Sequence, residues 1–237
     1  MDIWQRVAQA EAVAHAGFGE SQTFGPLVAT FVAPGLPLNT AWHDGTRPPT
    51  GEALASFEAF CAAHAQSATL HLLSPAAPAA LPTLTGRGYR LDSVLHLYTR
   101  ELRALPSSPL SVEESSDPDT WAEVSAQGFG EGSAETMRVV ARAPGARLFV
   151  ARLEGEPAGS GALGIKGDVA ALYGMSTRPE FRQRGVQLAL LAGRLRAAAA
   201  SGATLATVFT TPGTGSERNI VRAGFVLSGM RLTFTRV

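Results

Sequence analysis

The chain carries an internal repeat. Thr69 to Arg100 parallels Thr204 to Arg236 in order and chemistry: a β-rich run, a proline, a helical stretch, a Gly-aromatic pair and a second β-rich run. The closest part is ungapped, with Gly88, Tyr89, Leu91, Thr99 and Arg100 matching Gly224, Phe225, Leu227, Thr235 and Arg236, each 136 positions on. A supersecondary unit written twice restricts the chain to architectures that build the same unit twice. The expectation is an α/β protein with mixed sheet: two tandem domains, each a twisted, mostly antiparallel sheet flanked by helices. The domains should span 1–105 and 119–237, joined by a linker at 106–118 inside the proline- and serine-rich stretch from Ala104 to Asp119 with its acidic pair Glu113 and Glu114.

Composition fits this division. With 237 residues, 45% of them hydrophobic, there is material for one large domain or two modest ones with real cores. Lys plus Arg equals Asp plus Glu at 20 each, which argues against a nucleic-acid or acidic-membrane partner. One cysteine excludes an internal disulfide framework, and the lack of a long apolar run or basic leader points to a cytoplasmic protein.

The most chemically informative stretch is LYGMSTRPEFRQRGVQLALL, Leu172 to Leu191, an apolar strand that runs through an arginine-rich turn into a helix opening at Gly185. Arg178, Arg182 and Arg184 lie just ahead of a helix whose first N–H groups and dipole are already electropositive, with Glu180 as the nearby acid in sequence. A phosphate or pyrophosphate would satisfy both the loose donors and the guanidinium groups, and Gly185 would let it approach closely. A hydrated, arginine-studded surface turn satisfies the same pattern. Leu188, Leu191 and Leu195 then form one apolar stripe, with Arg194 and Arg196 expected to point elsewhere. The run Ala197 to Ala200 extends the helix, Ser201 and Gly202 stop it, and Thr204 to Thr210 reads as a strand. No Gly-Lys-Ser/Thr ends the loop, so a P-loop nucleotide enzyme is excluded.

Arg182, Gln183, Arg184, Gly185, Val186 and Gln187 resemble the acetyl-CoA signature of the GCN5-related N-acetyltransferase (GNAT) superfamily: Gln or Arg, two variable residues, Gly, one variable residue, then Gly or Ala. The order strand, loop, helix, LATVFTT strand and PGTGSERNIVRAGF is similar to that family over roughly residues 119 to 237. Gln187 departs from the final small residue. The resemblance implies that backbone groups of Met175, Ser176 and Thr177 meet the pantetheine and thioester of acetyl-CoA, used as cosubstrate without a metal. It implies that the loop amides from Gln183 to Leu188, with Arg182 and Arg184, hold the pyrophosphate, and that Asn219 and Ser216 lie by the CoA arm. A serine in Ser216's context is also a common helix N-cap.

All five histidines and Cys61 precede residue 105, so a Cys-His acyl-enzyme relay within the second half is impossible. Direct attack of a primary amine on the thioester, in a ternary complex, is the remaining simple route. The acceptor would be a small-molecule amine or a peptide N-terminus. Many members of the superfamily place an acid, a tyrosine, just ahead of the final Gly-Phe; that place is Ile220 here. The candidate bases are Tyr173, whose alternation with apolar neighbours fits a packed aromatic better, and the carboxylates Glu131, Glu135 and Glu180, of which Glu131 and Glu135 read first as solvated loop acids. The missing tyrosine keeps open a second reading, a non-catalytic CoA- or acyl-CoA-binding sensor or scaffold.

The first half reads as a degenerate GNAT-like copy. Before its helix stands TRPPTGEALASFEAF, where Pro48 and Pro49 give a rigid entry instead of a nest of free amides. Leu54, Phe57 and Cys61 form an ordinary core stripe. Asn39, Trp42 and His43 are candidate substrate contacts or structural residues. Periodicity predicts helices over 3–16, 51–65, 76–86, 119–128, 133–143, 185–200 and 215–223. It predicts strands over 27–33, 69–73, 94–100, 147–153, 158–165, 168–176, 204–210 and 225–236, the last broken near Gly229.

Overall fold

The computed structural model describes residues 1–237 and shows a mixed α/β fold, mixed sheet flanked by helices. The chain forms two compact units: residues 1–96 with 229–237, and residues 97–228. Each is described in turn.

The first unit contains α1 (Ile3–Ala16), β1 (Glu20–Phe24), β2 (Leu27–Phe31), β3 (Thr40–His43), α2 (Gly51–Ala63), β4 (Thr69–Leu73), α3 (Ala77–Gly86) and most of β5 (Tyr89–Glu101). Its strands are ordered β1-β2-β3-β4 and then the last strand of the chain, β11 (Val226–Arg236), which runs antiparallel to β4 from Arg231↔Leu73 to Thr235↔Thr69. β3 and β4 are parallel. Leu54 and Phe57 of α2 pack with Leu27, Leu70, Leu72, Leu84 and Phe234, and Cys61 joins them as a small buried hydrophobe whose thiol burial pushes up to about 12.

Asn39, Trp42 and His43 are buried here. Asn39 accepts from Val32 N at 2.8 Å and donates to Ala33 O at 2.6 Å, and His43 Nε2 lies 2.8 Å from Arg47 O, so these two side chains brace their own loops.

Buried titratable groups give this unit a pH signature. Burial lowers the pKa of His15 from 6.5 to about 4, holds His71 well below 6.5 with help from Arg231, and lowers His43. Such groups contribute stability that is present above the unfolded value and is lost as pH falls through the native one. Glu11 runs the other way: burial, opposed by Arg231, lifts it from 4.5 to about 7, so its contribution is full below 4.5 and is lost as pH rises through 7. The three histidines outnumber the one carboxylate. The calorimetric melting temperature is therefore expected to fall on acidification from pH 7 to pH 5, and His71→Gln should flatten the slope. A melting temperature that climbs toward pH 5 would show that Glu11 governs instead.

The second unit contains the end of β5, β6 (Val112–Ser115), α4 (Pro118–Phe129), α5 (Ala134–Ala141), β7 (Arg147–Leu153), β8 (Glu156–Lys166), β9 (Val169–Thr177), α6 (Val186–Ala200), β10 (Leu205–Thr210), α7 (Gly215–Arg222) and the start of β11. Its strand order is β5-β10-β9-β8-β7-β6. β9 and β10 are the parallel pair, and β6 to β9 are antiparallel. Leu163, Leu172, Leu190, Leu191, Leu195, Ile220 and Phe225 build the core between sheet and helices.

All seven expected helices form, with ends shifted by a few residues at most. The expected domain limits differ from the observed units. The stretch taken as a linker holds β6, which pairs with β7 and is fastened by Glu114–Arg147 at 2.6 Å and Glu113–Arg152 at 2.7 Å. The final residues belong to the first unit because they complete its β4 edge, so β11 crosses from one unit to the other at Gly229 without a break. β1 and β3 were also not expected from the sequence: β1 is polar and largely exposed, and β3 is four residues long.

Candidate active site

β10 pairs with β9 at Leu205↔Val169, Ala206↔Ala170 and Thr207↔Ala171, and there the register ends, although β9 continues to Thr177 and β10 to Thr210. Beyond Ala171 the two strands part, leaving the Met175–Thr177 edge of β9 open on that side. The opening leads to a cavity of ≈ 660 Å³ lined by Met175, Ser176, Thr177, the α6 entry and α7.

The α6 entry is shaped by two left-handed residues, Gln183 (φ 63) and Gly185 (φ 82), on either side of Arg184. Alternation of this kind turns successive amides to one side. Helical bonding starts with Ala189 N to Gly185 O at 3.0 Å, and no side chain caps the helix, so the amides of Val186, Gln187 and Leu188 are left as donors at the cavity. Gly128, at the end of α4, lets that helix press on β9: a Cβ there would stand 3.0 Å from Thr177 N and closer still to the Ser176 side chain.

Of the residues predicted for the cofactor, Met175, Ser176, Thr177, Arg182, Gln183, Gly185, Val186, Gln187, Leu188, Ser216 and Asn219 all line the cavity. Arg184 does not: its guanidinium is bound by Glu154, thirty residues upstream. Arg178 pairs with Glu180 at 2.6 Å and donates to Pro157 O, so Arg182, which donates to Gly128 O at 3.1 Å, is the one cation of the three beside the cavity. Of the three arginines expected to converge on one anion, Arg178 is held by the neighbouring Glu180 and Arg184 is drawn off by the distant Glu154.

Gln187 spans the α6–α7 side, donating to Ser216 Oγ at 2.8 Å and accepting from Asn219 Nδ2 at 2.7 Å. Ser216 is not the N-cap of α7; Thr214 is, its hydroxyl accepting from Glu217 N at 3.3 Å. None of the four candidate bases, Tyr173, Glu131, Glu135 and Glu180, lines the cavity. Tyr173 is half-buried with its ring against Gly164, and Glu131 is an exposed residue of the α4–α5 turn. Ile220 is fully buried in the core.

Gly128, Phe129, Phe181, Gly215, Arg218 and Arg222 also line the cavity and had not been anticipated. Arg218 and Arg222 carry a readable signal, since they are four apart and share a helix face with Ser216's neighbourhood. Phe181 carries none: its burial comes from the short 3₁₀ turn Pro179–Phe181 and from Arg178 stacked 5.2 Å from its ring.

A wedge between parted parallel strands, opening onto uncapped helix amides with an arginine beside them, is a geometry suited to an anion in an α/β protein. Residues 100–225, more than half of the chain, match the Acetyltransferase (GNAT) family, and the chain belongs to that family. Acyl transfer from acetyl-CoA is the activity this membership supports. A GCN5-related N-acetyltransferase from Kribbella flavida has the same fold at TM-score 0.82 and 19% identity, over 100% of this chain and 96% of that one. A tandem GNAT protein from the clavulanic acid biosynthesis pathway matches at TM-score 0.59 and 16% identity, over 88% of this chain and 77% of that one. An acetyltransferase of the GNAT family from Colwellia psychrerythraea matches at 0.56 and 13%, over 84% and 77%. At these identities the likeness is one of fold. No curated protein sequence matches. No helix is long and apolar enough to cross a membrane, and no group of His, Cys, Asp or Glu is placed to hold a metal ion.

Proposed function

We propose that the second unit binds acetyl-CoA in the wedge between β9 and β10 and transfers its acetyl group to a primary amine by direct attack in a ternary complex. The observation that carries this reading is the coincidence of the open Met175–Thr177 edge with the free amides of Val186, Gln187 and Leu188 in one cavity. A pantetheine arm needs strand-like partners and a pyrophosphate needs clustered N–H donors, and the two lie in line. Arg182, with Arg218 and Arg222 across the cavity, adds positive charge for the phosphates.

The first unit is proposed as a tandem copy that lacks the coenzyme grip. It repeats the order parallel strand, helix, parallel strand, helix, strand in β3-α2-β4-α3-β5, as in β9-α6-β10-α7-β11. Its equivalent helix start is occupied by its own chain: Thr50 Oγ1 caps α2 by accepting from Ala53 N at 3.2 Å. The cavity near Cys61 and His64 measures ≈ 10 Å³, room for one water.

One observation favours the rival reading of a CoA-binding sensor, the burial of Ile220 where an acid is often found. Release of free thiol from acetyl-CoA, followed across aminoglycosides, polyamines, amino acids and peptides with free N-termini, separates the two. Amine-stimulated thiol release is the expected result. Tight CoA binding with no stimulation by any amine class would establish the sensor instead.

A further inference from the structure

The sequence placed Arg194 off the apolar face of α6, but its side chain is fully buried. Its Nε donates to Leu190 O at 3.1 Å, Nη1 to Ala162 O at 3.0 Å and to Tyr173 O at 3.3 Å, and Nη2 reaches Met175 Sδ at 2.7 Å. Every partner is neutral, and no carboxylate neutralises it.

The site is built for this guanidinium. Ala162 and Tyr173 are paired across β8 and β9 next to a register shift between Ser160 and Ala162, and their carbonyls are the ones Arg194 bridges. The shifted residue is Gly161, where a Cβ would stand 2.8 Å from Arg194 Cζ. Burying a cation without a counter-charge is costly, and here the cost is offset by hydrogen bonds to the carbonyls of Leu190, Ala162 and Tyr173. Of the groups on the elements packed on α6, Arg147 of β7 is held by Glu114 of β6, and Tyr173 of β9 is the titratable group whose field reaches Arg194. The guanidinium stays charged at neutral pH even though burial draws its pKa down to about 9.

Met175 joins this charge to the cavity, since its sulfur contacts Arg194 while the residue lines the wall. We infer that Arg194 is a positioning residue which, through Met175 and the β9 edge, presents the thioester to a buried positive field that stabilises the sulfur leaving as thiolate. This rests on the acetyl-CoA reading above. The amine lone pair attacks the carbonyl carbon and the C–N bond forms. The C–S bond breaks with its electron pair retained on sulfur, and the amine proton passes to water. No proton donor to sulfur is then required, which accounts for a core isoleucine at position 220.

The test is the titration of the thiol of CoA bound to the whole protein, read by thiolate absorbance, with affinity followed separately by calorimetry. The bound thiol is expected to titrate roughly one pH unit below free CoA, the size of a unit charge acting across about 10 Å of protein. Arg194→Met should return it to the free value and lower kcat about tenfold with KM for acetyl-CoA within about threefold, and Arg194→Lys should recover most of both. Arg194→Gln replaces Arg194→Met if that variant does not fold. An unshifted thiol in the wild-type complex overturns the inference, as does an unchanged depression in the neutral variants. Absence of any CoA binding to the wild type overturns the acetyl-CoA reading itself, a different result from bound CoA with an unshifted thiol.

Discussion

Gly185→Val is expected to weaken CoA binding roughly 10- to 100-fold, the equivalent of about 1.4–2.8 kcal/mol. Gly185 sits at φ 82, a region a β-branched residue enters at a cost of about 1–3 kcal/mol. The space around it is not the obstacle, because a Cβ would meet Leu110 at 3.7 Å, an ordinary contact. The strain is relieved by rotating the residue out of the left-handed region, and that rotation turns the amides of Val186, Gln187 and Leu188 away from the cavity. The added methyl groups also occupy the surface on which a phosphate would rest. Isothermal titration calorimetry with CoA gives the affinity, and a thermal melt of the same sample shows how much of the loss is stability. Affinity within twofold of wild type would remove the α6 entry from the binding site.

Trp121→Ala should destabilise the second unit by about 3–5 kcal/mol, enough to take much of the margin of an ordinary domain. Trp121 is fully buried on α4, and its Nε1 donates to Phe149 O at 3.1 Å and Gly161 O at 3.3 Å. Its ring also packs where Gly174 leaves no side chain, so the helix, the β8 irregularity and β9 meet on one indole. Trp121→Phe keeps most of the volume and leaves two carbonyls without that donor, for an expected cost of about 1–3 kcal/mol. Urea denaturation followed by circular dichroism measures both. Equal losses for the two variants would assign the whole effect to the hydrogen bonds.

The two predictions bear on one another through β8 and β9. Trp121 holds the Gly161 carbonyl from the α4 side while Arg194 holds the adjacent Ala162 carbonyl from the α6 side. The irregularity in β8 is therefore clamped from both faces. The β9 edge that leads into the cavity inherits that rigidity.

Much of this arrangement was legible in the sequence. The helix over Ile3–Ala16 and the loop at Gly185 follow from periodicity and turn chemistry that act within a few residues. The loop that enters α6 was readable because a left-handed glycine, an uncapped helix start and a preceding strand are all local. Short or polar strands were not readable. β1, with the sequence ESQTF, has no apolar alternation, and it exists because β2 supplies its hydrogen bonds. β6 was hidden by its prolines and serines upstream and its acids, whose charges are answered by Arg147 and Arg152 more than thirty residues away.

Local pattern alone determined the loop into α6, the helices and the repeated order of elements, because backbone propensity and spacing are properties of neighbouring residues. Tertiary structure alone decided which arginine serves the cavity, where the last strand pairs and that Arg194 lies inside. Glu154 draws Arg184 aside, β4 recruits residues 231–235, and the irregularity at Gly161 offers carbonyls to a side chain more than thirty positions later. Each of those outcomes depends on a partner that the chain brings near only by folding, so no window of sequence contains both halves of the interaction.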